Sequence, residues 1–412
     1  MISENLEARM KKAFDEKSLV VKRDILEKEV LKPIVGLELE FGVFDEQGRP
    51  VRRKDVDDPK ISKELGHHQI EIITDPILID SIESFKSKYQ ADLETSLAKL
   101  SQKVSGVGSI PNLSAESFEI TPDVEKYEKV PAFNNERVLS EYKTLFPNLD
   151  ARHVGLFNAM QINLDCSSIK DAVSKLNKSL SISPYLVALF GNARFLEGEE
   201  SGFKDCRVKV WEETHDIRTE DERRANVETR IGLPNKYFSN VDDYFSRISK
   251  HPFIFDKEKA AFEIGIGLNW HDARIKFIEK ENKYLPVVEM RSISSQQSLD
   301  EEVAATLMYV GLLESEKGLL SMDKLEFNRE SALKHGLHGF MYDKSGLLRR
   351  TLDVVKDKVE VAKQGLLAFG YSPNSIEEAF EPVYKIISEE KSPADRYDKN
   401  HITQLVRDSF RN

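Results

Sequence analysis

Glu38 and Glu40 stand two residues apart in the run Ile34–Phe44, whose other members are apolar or glycine. Strand side chains alternate between faces, so both carboxylates point the same way, about 7 Å apart along the chain. Burying two acids on an apolar strand is costly without a compensating cation. A hard divalent ion such as Mg²⁺, which prefers oxygen ligands, supplies that compensation. The alternative is an edge strand whose acids face water, and the apolar neighbours argue against it. Two more apolar runs carry the same signature: Gln69, Glu71 and Ile73 share a face within 66–76, and Glu289 and Arg291 share one within 284–293. The latter pair reads either as a structural ion pair or as a metal ligand beside an anion clamp. Gln161 and Asn163 share a face within 153–165; two amides there read most simply as hydrogen-bonding to neighbouring strands.

Cations come from other parts of the chain. Residues 198–230 hold Lys204, Arg207, Lys209, Arg218, Arg223, Arg224 and Arg230, and Arg274 and Arg291 follow. A charge run is usually a solvated face. Phe203, Val208, Val210 and Trp211 interleave with this one, which leaves room for part of it to line a pocket. Acids that hold two or three Mg²⁺ ions, opposed by arginines, are what a site handling ATP phosphates needs. The chain has no Walker A motif, no kinase glycine-rich loop and no strand-linked G-x-G-x-x-G, so a nucleotide would be held mainly through metals and arginines.

The elements that must position these groups follow from periodicity and turn signals. Residues 2–30 predict one or two amphipathic surface helices, followed by the Glu38/Glu40 strand, which closes at Asp45-Glu46-Gln47-Gly48. Residues 52–65 read as a loop or short helix, and 66–76 as a second strand ended by Pro76. A long helix is expected over 80–104, with Ile82, Phe85, Tyr89, Leu93 and Leu97 in register. Residues 112–135 predict a loop over the site, with a helix near 136–145. The third strand lies in 153–165, and a helix interrupted at Pro184 spans 168–189. A hairpin of 261–270 with 273–278 around His271-Asp272 is expected next, then the Glu289/Arg291 strand. Helices over 299–319, 322–335, 346–369, 375–390 and 395–410 form a layer on the sheet. The expected organisation is one domain, with a lead-in over 1–33, a sheet-forming core over 34–298 and the helical layer over 299–412.

With 412 residues, 40% hydrophobic and 32% charged, the chain has the composition of a soluble globular protein. A formal charge of −11 argues against a general nucleic-acid surface. No run of about 18 apolar residues predicts a membrane span, and the N-terminus lacks the apolar core of a signal peptide. The two cysteines, Cys166 and Cys206, have no redox or metal-knuckle spacing and predict reduced thiols in a cytoplasmic protein.

In order along the chain, several motifs resemble those of one family. Gly36-Leu37-Glu38-Leu39-Glu40-Phe41 is similar to its first acidic strand and 68–76 to its second. Residues 188–195 with Gly198, Gly202-Phe203, Arg207 and Trp211 resemble its Asn-Ser-Pro-Phe…Gly…Gly-Tyr…Arg…Trp stretch. Trp270, Asp272-Ala273-Arg274 and Val288-Glu289-Met290-Arg291 resemble its closing strands, and Asn328-Arg329, Ala332 and 335–339 its Asn-Arg…Tyr-Gly-Leu-Asp-Gly segment. The family is the type 2 glutamate–cysteine ligases, or carboxylate–amine ligases, of the glutamine synthetase superfamily. The resemblance implies an α+β fold in which a curved, mostly antiparallel sheet forms a funnel with helices outside. It implies Mg-ATP phosphorylation of a side-chain carboxylate, then attack by an amine on the acyl phosphate, with glutamate and cysteine, the precursors in glutathione biosynthesis, as the default pair. By position, Glu38, Glu40, Glu71, Gln161 and Glu289 would hold Mg²⁺ or Mn²⁺. Arg207 and Arg291 would clamp anionic groups and act in catalysis, and Arg274 and Trp211 would help bind substrate or ATP. The partners implied are small amino-acid substrates; the assembly stays open, with a homodimer among the candidates, and charge and hydropathy predict no nucleic-acid or membrane partner.

Two departures from the family stand out. The family shows His-Val-His where this chain has Gln161-Ile162-Asn163, and an Asp where Ser292-Ile293-Ser294 stands. The first bears on the metal site and the second on the amine. Other readings of the paired acids are a glycoside hydrolase, which leaves the arginines unexplained, and a non-catalytic ligand-binding relative.

Overall fold

The structure is a computed structural model and describes residues 4–64, 66–111, 113–114, 151–216, 218–253 and 258–411. Its centre is a strongly curled, nine-stranded sheet. In chain order the strands are β1 (Ile34–Phe44), β2 (Ile61–Lys63), β3 (Gln69–Ile73), β4 (Ile77–Leu78), β5 (Lys103–Ser105), β6 (Met160–Asp165), β7 (Ala273–Lys280), β8 (Lys283–Met290) and β9 (Phe410–Arg411). They run β7–β8–β6–β1–β3–β2, with β4 and β5 also on β1 and β9 on β5. Each of these pairings is antiparallel.

Alternation along β1 divides the molecule. Val35, Leu37, Leu39, Phe41 and Val43 point to one face and are buried to within 1%. They meet α2 (Ile82–Leu100), α3 (Ile169–Phe190) and the later helices α6 (Leu299–Ser315), α7 (Met322–His335) and α8 (Thr351–Ala368) in one apolar core. Glu38 and Glu40 point to the other face. Register is specified strongly here, because a one-residue slip would drive both acids into that core. Helix α2 follows its stripe: Ile82, Phe85, Tyr89, Leu93 and Leu97 are buried, and Ser81 caps its N-terminus by accepting from Ser84 N at 3.1 Å. Helices α6 and α8 cross at Gly311 and Gly365. A Cβ on Gly311 would sit 2.3 Å from Ala362 O, and one on Gly365 would sit 2.0 Å from Gly311 O.

Several expectations need correction: residues 52–65, expected as a loop or short helix, hold β2, and the helix expected over 395–410 spans only Ile402–Asp408. Residues 261–267 are a helix, α5 (Ala261–Gly267), not the first arm of a hairpin. Phe262, Ile264 and Ile266 alternate as a strand would, but the segment lies on α1 (Glu4–Arg23), where Phe262 stacks on Phe14 with centroids 5.3 Å apart. A Cβ at Gly265 would sit 2.6 Å from the same ring, so close packing against α1 overrides the local pattern. The partner of β7 is instead β8, joined through Glu281 and Asn282 at φ +52° and +60°, the left-handed pair a tight hairpin turn requires. Pro184 does not interrupt α3. It leaves Leu180 O without its helical donor, and the Ser183 hydroxyl lies 3.2 Å from that oxygen. Finally, residues 340–350 hold a short hairpin, Phe340–Tyr342 with Leu348–Arg350, before α8 begins at Thr351. The helix expected near 136–145 lies outside the described residues, as does the loop over 112–135 except at 113–114. Among the described residues no helix is long and apolar enough to cross a membrane.

Candidate active site

The open face of the sheet carries its acids because the antiparallel register puts them side by side. Glu40 pairs with Glu71 across β1 and β3, and Glu38 with Gln161 across β1 and β6. Glu289 pairs with Asn163 on one side and with Arg274 on the other. The face then divides into two groups.

The first group gathers Glu40, Glu71 and Glu64, each offering a carboxylate oxygen within 4.8 Å of the others. Glu64 escaped sequence reading because it sits in a short polar segment. Only the fold marks it: β2 sets Ser62 opposite Glu71, and Glu64 directly follows that strand. Ser62 Oγ donates to Glu71 at 2.7 Å. Glu40 accepts from Ala159 N at 2.7 Å and from Gln161 Nε2 at 2.8 Å. Burial, then the charges of Glu64 and Glu71, push the Glu40 carboxyl up to about 8, against the pull of Gln161 and Arg207. Gln161 spends its amide N–H on Glu40, and its buried carbonyl oxygen has no partner among the described residues. Three crowded carboxylates and an orphaned amide oxygen fit a hard divalent cation.

The second group is already neutralised. Glu289 is fully buried and accepts from Arg291 Nη1 at 2.9 Å, from Lys276 Nζ at 3.0 Å and from Arg274. Burial alone would raise its carboxyl, but Arg274, Arg291 and Lys276 outweigh it and hold the group well below the usual carboxylate range. Glu38 accepts from Lys276 and, at 2.9 Å, from Asn163 Nδ2. Lys276 had no signal in the sequence, because the strand that carries it was assigned the wrong hairpin partner.

Glu40, Glu64, Gln161, Arg207, Trp211, Trp270, Asp272 and Arg291 line one cavity of about 160 Å³. Arg207, the first residue of α4 (Arg207–His215), donates through Nη2 to Arg291 O at 2.9 Å and through Nε to Ser294 Oγ at 3.3 Å. Ser294 in turn donates to Asp205 at 2.6 Å, so a carboxylate still stands behind the serine, supplied by another segment. Trp211 and Trp270 form an aromatic wall with centroids 5.7 Å apart, both packed on His215. Asp272 is held from behind by Arg329 of α7, Nε to Oδ2 at 2.7 Å and Nη2 to Oδ1 at 3.0 Å, and Arg329 also reaches Glu212. Sequence motifs noted Arg329 without assigning it a partner. Of the residues singled out from sequence, Glu40, Glu71, Gln161, Arg207, Trp211 and Arg291 therefore gather at or beside this cavity. Glu38, Glu289 and Arg274 lie with the ion pairs farther along the same face.

A curled antiparallel sheet backed by helices thus brings carboxylates and guanidiniums together on its open face. The chain belongs to glutamate–cysteine ligase family 2 (GCS2), whose profile matches residues 34–399. It is 26% identical over 238 residues to the chloroplastic glutamate–cysteine ligase of Solanum lycopersicum, an overlap of 52% of this chain and 43% of that protein. The chain thus spans less than half the length of this plant relative. An uncharacterised protein of Archaeoglobus fulgidus is 24% identical over 362 residues, covering 81% of this chain and 91% of that one. The crystal structure of the Francisella tularensis glutamate–cysteine ligase in complex with AMP shares the fold at a TM-score of 0.62, with 12% identity over 93% of this chain and 89% of that one.

Proposed function

We propose that this protein is an ATP-dependent carboxylate–amine ligase, with glutamate as the activated acid and cysteine as the default amine. The observation that carries the reading is one cavity lined by Glu40, Glu64, Gln161, Arg207 and Arg291, with the Glu71 carboxylate grouped with those of Glu40 and Glu64. Phosphoryl transfer needs both halves, metals to offset charge on phosphoryl oxygens and fixed cations to orient anions. Mg²⁺ would be held by Glu40, Glu64, Glu71 and the Gln161 carbonyl, and it would supply charge stabilisation at the transferred phosphoryl group. Arg207 and Arg291 bring fixed guanidinium charge to a substrate carboxylate or phosphate. A side-chain carboxylate oxygen attacks the terminal phosphorus of ATP, forming an acyl phosphate and releasing ADP. The amine nitrogen then attacks the acyl carbon, loses a proton and expels inorganic phosphate. AMP in the Francisella tularensis relative supports the nucleotide half of this reading.

Hydroxylamine intercepts an acyl phosphate without needing the natural amine pocket. Enzyme, Mg-ATP, glutamate and hydroxylamine should yield γ-glutamyl hydroxamate and ADP. A hydroxamate without γ-glutamylcysteine would keep the ligase and replace cysteine by another amine. No hydroxamate, with metal and nucleotide demonstrably bound, would remove glutamate as the substrate.

A further inference from the structure

Between the two acids of the second group stands a side chain rather than a space. Lys276 Nζ donates to Glu38 Oε1 and, at 3.0 Å, to Glu289 Oε1, bridging carboxylates from β1 and β8. The same Glu38 oxygen takes the Asn163 amide at 2.9 Å, and Glu289 Oε2 is taken by Arg274 and Arg291. Two carboxylates thus face three cations, a local surplus of one positive charge. A divalent ion entering there would meet that surplus and displace the ammonium from both acids, which would leave Lys276 partly buried without its partners. The first group is the opposite case, with three carboxylates in mutual repulsion and an unpartnered amide oxygen.

We propose that the Lys276 ammonium stands in place of a metal ion between Glu38 and Glu289, so that divalent cations enter this face only at Glu40, Glu64 and Glu71. The inference deepens the ligase reading and rests on it for the ion at Glu40. Lys276 becomes a positioning residue: it holds Glu289, and through it Arg291, at a fixed place beside the cavity. A side-chain cation cannot leave with product, as an exchangeable ion can.

Mn²⁺ binding to the full chain, counted by titration calorimetry and by the electron-spin resonance of free Mn²⁺, tests this without reference to turnover. Glu40→Gln should weaken Mn²⁺ binding about tenfold or more, while Glu38→Gln leaves it within about twofold. Lys276→Met should bind one more Mn²⁺ per chain than the natural protein, and Mn²⁺ should raise its melting temperature by more. Lys276→Arg, which keeps the charge, should gain no such ion. Loss of Mn²⁺ affinity in Glu38→Gln equal to that in Glu40→Gln would overturn the proposal. An unchanged Mn²⁺ count in folded Lys276→Met would do the same, and the Glu38→Gln result decides alone if Lys276→Met does not fold. This pattern without hydroxamate formation would discard the ligase and keep the inference. Hydroxamate formation with Glu38 required for Mn²⁺ would do the reverse.

Discussion

Arg207 divides its guanidinium between structure and the cavity. Nε and Nη2 are spent on Ser294 and on Arg291 O, which ties α4 to the end of β8 and leaves Nη1 for an anion in the cavity. A lysine ammonium is a point charge without that fork. Arg207→Lys should therefore lower kcat/KM about tenfold or more, and it should also lower the melting temperature, because the two bonds that tie α4 to β8 go with the guanidinium. Steady-state kinetics with ATP and glutamate varied separately check this, and unchanged constants for both would exclude the role. Glu64 makes a sharper test, because only the folded chain brings it to Glu40 and Glu71. Glu64→Gln should raise the Mg²⁺ concentration for half-maximal turnover about tenfold. Identical Mg²⁺ dependence would place Glu64 outside the ion's reach.

At the scale of elements, the sheet holds the site and the helices hold the sheet. β1 carries out both tasks by alternation, its apolar side chains under the helical layer and its acids on the open face. The helical layer depends on how closely α6 and α8 approach at Gly311 and Gly365. A methyl at Gly365 has no place to go, since the opposing atom is backbone rather than a movable side chain. Gly365→Ala should cost about 1–3 kcal/mol. Urea denaturation should show a lower midpoint at an unchanged slope. Turnover well below the transition should stay intact, because the crossing lies behind the sheet and away from the cavity. An unshifted midpoint would mean the helices separate freely, and their packing could not then be what holds the sheet.

The whole molecule responds to pH through groups that folding moves in opposite directions. Burial holds His68 and His271 down to about 4, His215 to about 3 and His251 to about 2. The unfolded chain binds protons at these imidazoles near pH 6.5, so their stability is present above that pH and lost as pH falls toward 4. Glu40 is raised to about 8, so without metal its contribution is present at low pH and lost as pH rises from 4.5 to 8. A divalent ion competes with the Glu40 proton at pH 6 and hardly at all above pH 8. The melting temperature of the metal-free protein should fall below about pH 6.5, and Mg²⁺ should raise it more at pH 8 than at pH 6. An equal Mg²⁺ shift at both pH values would separate Glu40 from the ion, and a flat acid limb would free the histidines from burial.

Local pattern was enough to determine the strands that carry Glu38/Glu40, Glu71 and Glu289 and the stripe of α2, while the curved antiparallel class of the sheet came from the family resemblance. Strand alternation and helical periodicity are properties of a few neighbouring residues, and an acid on an apolar strand is visible without knowing what lies beside it. Which acids meet was decided only by tertiary structure. Glu40 lies beside Glu71 rather than Glu289 because of strand order and register, and Glu64 joins them from a segment that reads as loop. Residues 261–267 became a helix because Phe14, some 250 positions earlier, packs on Phe262 and Gly265. That change reassigned β7 to β8 and brought Lys276 between Glu38 and Glu289. The physical reason is range: propensity and alternation act over a few residues, whereas charge compensation acts between strands and waits on the pairing that brings them together.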